Sequence, residues 1–163
     1  MRYPKTMCFL MWTLLSVIVL QSCSSSAGLS VADSFEQALR NENTATSFER
    51  LVDGGGGFSA LLGNEKYTLL VPVDAAFAVL GIEELMTLMS PGNKAAGAEI
   101  VKAHIAVGAF APDKITAVGN LSLLNGKSVG VTSASGIQIG GATVVKTWKT
   151  KQGYVYFINR ILK

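Results

Sequence analysis

His104 is the one histidine of this chain and the side chain best suited by type to acid–base catalysis or metal binding. The two cysteines, Cys8 and Cys23, both lie near the N-terminus, so a metal cluster of histidines and cysteines is excluded. Glu83 and Glu84 are neighbours that point apart on a helix, with no second carboxylate held opposite them. A neutral His104 that ends a helix and bonds to the backbone is favoured over a catalytic base or metal ligand. We therefore predict no catalytic residue, no metal and no cofactor.

Four consecutive glycines at residues 54–57 could be taken for a phosphate-binding loop. Such a loop needs a preceding strand and a Gly-Lys-Ser/Thr ending that opens a helix. Here a helical pattern precedes the glycines and Phe58 follows them. We therefore interpret the segment as a flexible connector and expect no small-molecule substrate.

One stretch interleaves positive charge with aromatic side chains. Lys146, Lys149 and Lys151 flank Trp148 and precede Tyr154. The stretch is either a binding surface for an acidic protein or glycan, or a pair of solvated strand edges. In the second case the lysines discourage edge-to-edge aggregation.

Residues 1–22 have the composition of an export signal. Arg2 and Lys5 give a positive start, and residues 7–20 form an apolar run broken only by Thr13 and Ser16. The run is shorter than the roughly 20 residues that a membrane-spanning helix needs. This length and these flanks are typical of a signal peptide, with a signal-anchor helix as the alternative.

Cys23 closes this segment and is the predicted site of lipid attachment. The ending from Leu20 to Cys23 resembles the bacterial lipobox, whose cysteine receives a diacylglycerol before a peptidase cuts in front of it. The alternative is an ordinary cysteine behind an ordinary signal peptide. If Cys23 carries the lipid, the Ser-rich residues 23–32 form a flexible tether between the lipid and the domain. Ser24 stands where an Asp would resemble an inner-membrane retention signal, so we expect the outer membrane if the cell has two.

The bulk composition indicates one folded domain behind the signal. The chain has 163 residues, of which 49% are hydrophobic and only 15% charged, which argues against disorder. Its 14 basic and 11 acidic residues become 12 and 11 once Arg2 and Lys5 are removed, a net charge of +1. Such a balance gives no case for nucleic-acid binding.

Helical patterns dominate the first half of the mature chain. Ser34 with Gln37, and Thr46 with Glu49, have the spacing of a capping box, which predicts helices over about 33–41 and 46–53. Further helical patterns cover residues 58–62, 74–80, 82–89 and 94–103.

Strand patterns dominate the last third of the chain. Residues 67–71 form an earlier strand that closes at Pro72, and the later candidates cover residues 128–132, 137–139, 143–148 and 154–158. Helices followed by strands indicate an α+β fold and not an alternating βαβ arrangement.

Three stretches, in this order, resemble the fasciclin-like (FAS1) domain family: residues 67–77, 100–108 and 153–162. In the first, a strand ends at Pro72 and a helix follows with Asp74 near its start and Phe77 inside it. The second has the single histidine, His104, between a helix and a strand, and the third is a glycine followed by an apolar terminal strand. The order and spacing of the three together are more specific than any one of them.

The resemblance implies a domain over residues 33–163, with a wedge or sandwich of strands and the N-terminal helices packed on it. It implies structural roles for Pro72, Asp74, Phe77 and His104. We also expect Phe77 and Phe157 to lie in the core. Val73 stands where the family commonly has a small hydroxyl residue. Some animal members bind integrins through a tyrosine–histidine motif. No tyrosine closely precedes His104 here, so that activity is not carried over.

The function that the resemblance implies is adhesion or recognition by a lipid-anchored module outside the cytoplasm, with a protein or glycan of the envelope or surroundings as partner. The alternative is a periplasmic sensor or accessory subunit that binds one particular envelope protein. The family gives no expectation of enzyme activity.

Overall fold

The computed structural model describes residues 29–134 and 136–162. The predicted signal peptide (residues 1–22), the predicted lipidation site Cys23 and most of the predicted tether lie outside the described residues. The described part of the tether includes strand β1 (Ser30–Val31), which pairs with Trp148 and Lys149. The sheet therefore takes in residues slightly ahead of position 33, where the domain was predicted to begin.

Most helices lie in the N-terminal half. Ser34 begins the first of them, because its Oγ accepts a hydrogen bond from the Gln37 N–H at 3.2 Å, as the capping-box spacing predicts. The helices are α1 (Phe35–Asn41), α2 (Thr46–Gly54), α3 (Phe58–Leu61), α4 (Asp74–Phe77), α5 (Ile82–Met89), α6 (Lys94–Ala103) and α7 (Pro112–Val118), with a 3-10 turn at Pro91–Asn93.

The remaining strands are β2 (Tyr67–Pro72), β3 (Ile105–Val107), β4 (Asn120–Ser122), β5 (Ser128–Thr132), β6 (Gln138–Ile139), β7 (Ala142–Lys149) and β8 (Gly153–Ile158). They follow the order β3-β2-β8-β7-β6-β5-β4, and β1 pairs with β7. The terminal strand β8 lies parallel to β2 and antiparallel to β7, so the C-terminal end of the domain lies inside the sheet and not at its edge. The predicted α+β class is confirmed.

Two hydrophobic cores lie on opposite faces of the central strands, because successive side chains of a strand point to opposite sides. Leu69, Val71, Val155 and Phe157 face the helices, in the core that also contains the aromatic rings of α1, α2 and α4. Leu70, Tyr156 and Ile158 face the second core, which is closed by the strands β4–β6 and by Ile115 of α7. Phe77 and Phe157 are both buried in the first core, as predicted.

Gly153 explains why a glycine precedes the terminal strand. It lies opposite Tyr67 at the start of the β2–β8 ladder, with a φ of 152°. A Cβ added there would overlap the carbonyl oxygen of Tyr67. Only glycine lets the two backbones approach this closely.

Four elements differ from the sequence predictions in their existence or their bounds. Strands β1 and β4 and helix α7 were not predicted, and α4 ends at Phe77 instead of residue 80. The predicted capping box of Thr46 and Glu49 is wrong, since the residue before α2 is Ala45 and it makes no side-chain cap. The cap of α2 comes from a distant residue.

Candidate functional site

Asp74 is the distant residue that caps α2. Its Oδ1 accepts from the backbone N–H of Ser47 at 2.7 Å, and its Oδ2 accepts from that of Thr46 at 3.2 Å. Its own N–H donates to the carbonyl of Thr44 at 2.6 Å. Partial burial by itself would raise the pKa of Asp74, but the hydrogen bonds from Ser47 and Thr46 hold that pKa below its ordinary value. The carboxylate is thus committed to joining α4 to α2.

Pro72, the neighbouring motif residue, ends β2 and is buried. It stands opposite Ile158, at the last pair of the β2–β8 ladder. The Val73 N–H then donates to the Ile158 carbonyl at 2.9 Å. Val73, which lacks the family's usual hydroxyl, gives α4 no side-chain cap.

His104 is fully buried where α6 ends, and both ring nitrogens are engaged. Nδ1 lies 2.7 Å from the Ile100 carbonyl oxygen, and Nε2 lies 3.0 Å from the N–H of Leu162. This pairing requires the neutral tautomer in which Nδ1 donates and Nε2 accepts. Burial lowers the pKa of His104 to about 4, against the opposing effect of the Ile100 carbonyl. The ring joins α6 to the C-terminal segment and has no nitrogen left for a proton transfer or a metal.

A second polar network holds the loop between β3 and α7. The buried Thr68 hydroxyl donates to the Gly108 carbonyl at 2.7 Å and accepts from the Phe110 N–H at 3.0 Å. The Tyr156 hydroxyl donates to the Phe110 carbonyl at 2.7 Å. Burial, with Tyr154 and Asp113 nearby, raises the pKa of Tyr156 far above its ordinary value. The network is a structural support, and no sequence signal pointed to it.

The lysine–aromatic stretch lies on β7 and in the turn to β8, and its members do not share one face. Lys146 and Trp148 stand opposite Phe157 and Val155, on the helix side of the sheet. Lys149 stands opposite Tyr154, on the other side.

Lys146 and Trp148 are engaged with the domain itself. The Lys146 ammonium lies 2.6 Å from Oε2 of Glu42 and 5.4 Å from the centre of the Trp148 ring. The Trp148 Nε1–H donates to the same Glu42 oxygen at 3.2 Å, and the half-buried ring packs against the first core. This cation covers part of the ring that a partner would need to reach.

Lys149 and Lys151 are open to solvent at the β7–β8 hairpin. Lys151 lies 2.7 Å from the carboxylate of Asp33, but both side chains are about three-quarters exposed. Such exposed pairs contribute little to stability and exchange readily. Within the described part of the chain, no ion-pair partner is found for Lys149. These two lysines are the members of the stretch that a partner can reach.

A groove between α5, α6 and the C-terminal segment was not anticipated from the sequence. Its volume is about 340 Å³. Its lining combines half-buried or buried apolar side chains with exposed charged ones: Leu80, Glu84, Leu88, Glu99, Ile100, Ala103, Asn125, Lys127, Ile161 and Leu162. These residues are far apart in the chain, so no local pattern could reveal the groove.

The described ranges, 29–134 and 136–162, contain no cluster of three His, Cys, Asp or Glu side chains placed to hold a metal ion. Nor does any helix in them have the length and apolarity to cross a bilayer.

Glu83 and Glu84 both lie exposed in the first turn of α5. The glycines at 54–57 connect the end of α2 to α3, with positive φ at Gly56 and Gly57.

Comparisons with known proteins agree with this architecture. The family model for the fasciclin domain matches residues 43–163. The transforming growth factor-beta-induced protein ig-h3 of Sus scrofa is 27% identical over 135 residues, which are 81% of this chain and 20% of that protein. The FAS1 domain pair from the insect cell adhesion molecule fasciclin I matches with a TM-score of 0.70 at 12% identity, over 80% of this chain and 51% of that one.

The structural match shows that the fold is of the FAS1 type, as the resemblance implied. The chain spans about a fifth of the length of the curated relative and about half of the solved domain pair.

Proposed function

The chain belongs to the fasciclin domain family, and from this premise we propose that it is an adhesion or recognition module held at the cell envelope by a lipid on Cys23. Fasciclin domains are associated with cell adhesion and recognition, and the family is a non-enzymatic adhesion module. The observation that carries the proposal is the family match over residues 43–163, nearly the whole described domain.

The lipid anchor is supported by the sequence pattern ahead of the domain. A positive start, a short apolar run and a small residue before Cys23 together have the order of a lipoprotein signal. The paired strand β1 begins at Ser30, seven positions after Cys23. A short tether of this kind keeps the module close to the membrane, on the outer membrane where a cell has two.

The partner that we propose for adhesion is a protein or glycan of the envelope or its surroundings. Within the lysine–aromatic stretch, the contact role with this partner falls to the exposed Lys151 at the turn between β7 and β8. Lys146 and Trp148 are already engaged with Glu42.

A fatty-acid labelling experiment tests the anchor. The full chain should incorporate an alkyne-tagged fatty acid and run as a cut, mature form. Cys23→Ser should give an uncut precursor without label, whereas the matched variant Cys8→Ser should be labelled like the parent. Equal label on Cys23→Ser would contradict the anchor.

An attachment assay tests the adhesive role. Cells that produce the chain should attach to protein-coated or polysaccharide-coated surfaces more than cells that lack it, and Cys23→Ser should abolish the gain. Attachment that is the same with and without the chain on both kinds of surface would count against adhesion.

A further inference from the structure

We propose that the face formed by Leu29, Val31, Val145 and Lys149, here called the anchor-proximal face, docks on the lipid surface that holds the anchor. The inference rests on the proposed lipid at Cys23, and it names the acidic partner that Lys149 meets: the anionic headgroups of the anchoring membrane.

Three exposed aliphatic side chains belong to this face. Val31 is 72% exposed, Val145 is 64% exposed and Leu29 is 40% exposed. Leu29 and Val145 line one shallow depression of about 520 Å³, together with Pro112 and Ile137. Apolar side chains grouped in this way mark a surface that meets another apolar phase.

Lys149 belongs to the same face by strand register. Val31 stands directly opposite Lys149 in the parallel β1–β7 pair. Paired residues point to the same side of a sheet, and Leu29, two positions before Val31, points there as well. Lys149 is exposed. Its ammonium can therefore reach headgroup phosphates while the aliphatic side chains meet the lipid boundary.

The acidic groups around this face limit the electrostatic contribution. Asp33 pairs with Lys151 in the neighbouring turn. Asp113, near the start of α7, is exposed close to Tyr156. The local charge is close to balanced, so headgroup attraction helps to orient the domain but does not hold it on the membrane.

The lipid anchor raises the occupancy of a membrane contact that the face alone would make only weakly. From Cys23 to Leu29 is six residues, which span about 20 Å when fully extended. A domain of this size is about 35 Å across, so the tether is shorter than the domain and keeps the end with Leu29 nearest the membrane. A tether this short gives a local concentration on the order of millimolar, at which a weak contact becomes populated.

The surface formed by α5 and α6 lies near β3, at one end of the strand order, and away from β7. Helix α5 packs on α6, and α6 contacts β3. Strands β2 and β8 separate β3 from β7, which carries the anchor-proximal face. Docking therefore leaves the groove between α5 and α6 turned away from the attachment point and accessible to partners.

Depth-dependent fluorescence quenching tests the docking. The lipidated full chain, with an environment-sensitive dye on Val31→Cys, is placed in vesicles of phosphatidylethanolamine and phosphatidylglycerol that contain nitroxide-labelled lipid. Met86→Cys on α5 is the matched control, since Met86 is 70% exposed against 72% for Val31. We expect quenching at position 31 to exceed that at position 86 at least threefold. A dye on Val145→Cys should behave like the one at position 31.

Substitution of the face itself gives the second measurement. With the dye at position 145, Leu29→Ser, Val31→Ser and Lys149→Gln together should lower the quenching at least twofold, while Lys94→Gln on α6 leaves it unchanged. Unchanged urea midpoints would show that the variants fold.

The outcomes separate the two proposals. Mass spectrometry of each sample first establishes whether Cys23 carries lipid. If it carries none, the anchor and the docking are both overturned. If it is lipidated and the dyes at positions 31 and 86 are quenched equally, the docking alone is overturned, and the adhesive module is a freely swinging one.

Discussion

The carboxylate of Asp74 accepts a hydrogen bond of 2.7 Å from the backbone N–H of Ser47, a residue that precedes it by 27 positions. Helix α2 is thereby capped by the first residue of α4, because Ala45, the residue before α2, has no side chain that can do so. A single motif residue thus starts one helix and stabilises the start of another.

Replacing Asp74 with Ala should destabilise the domain by about 1–2 kcal/mol, the usual loss for a helix cap. The free energy of unfolding from urea melts measures this loss. Glu65→Ala is the control, since Glu65 is an exposed carboxylate in the loop before β2. An Asp74→Ala loss no larger than that of the control would mean that the cap contributes nothing.

The domain should become less stable as the pH falls, because of His104. Its folded pKa is about 4, below the ordinary 6.5, so the unfolded chain binds more protons between these values. This contribution is complete above pH 6.5 and is lost as the pH falls towards 4, a total of about 3 kcal/mol. Since the chain has one histidine, the slope between pH 6.5 and 5 reports on that residue.

His104→Gln provides the comparison for this pH dependence. Glutamine does not titrate, so this variant should be less stable than the parent at pH 7 and nearly independent of pH between 6.5 and 5. Urea melts at half-unit intervals measure both profiles. Parallel profiles for parent and variant would show that His104 is not the titrating group.

Gly153→Ala should cost about 3 kcal/mol, because the added Cβ overlaps the backbone of Tyr67 where β8 meets β2. Gly54→Ala is the matched control: Gly54 ends α2, and its Cβ would meet nothing within 4 Å. The control should be neutral or up to about 1 kcal/mol more stable. Equal thermal midpoints for the two variants would contradict the close approach.

The sequence predicted those elements whose signals are local. The bounds of α6, Lys94–Ala103, agree at both ends because Pro91 and Asn93 break the chain before it and His104 ends it. Strand β1 could not be predicted, since two residues of a Ser-rich segment become a strand only by pairing with Trp148 and Lys149. Helix α7 was missed although Pro112 at its first turn is a start signal.

The candidate site was predictable only in part, for the same reason. The position of His104 at a helix end follows from the pattern of α6, but its bond to Leu162 spans 58 residues and leaves no local trace. Lys146, Lys149 and Lys151 were grouped because they are close in sequence. The two-residue period of a strand separates Lys146 from Lys149, because residues three positions apart point to opposite faces of the sheet.

Trp148 and Lys149 should therefore respond differently to substitution. Trp148→Ala removes a half-buried ring from the first core and the Nε1–H donor to Glu42, so a loss of about 3 kcal/mol is expected. Lys149→Gln changes an exposed side chain and should shift stability by less than about 0.5 kcal/mol. Trp148→Phe keeps most of the packing and loses the hydrogen bond, so it should fall between the two. Urea melts of the three variants decide the matter, because a Trp148→Ala domain as stable as the parent would make the indole an exposed contact residue.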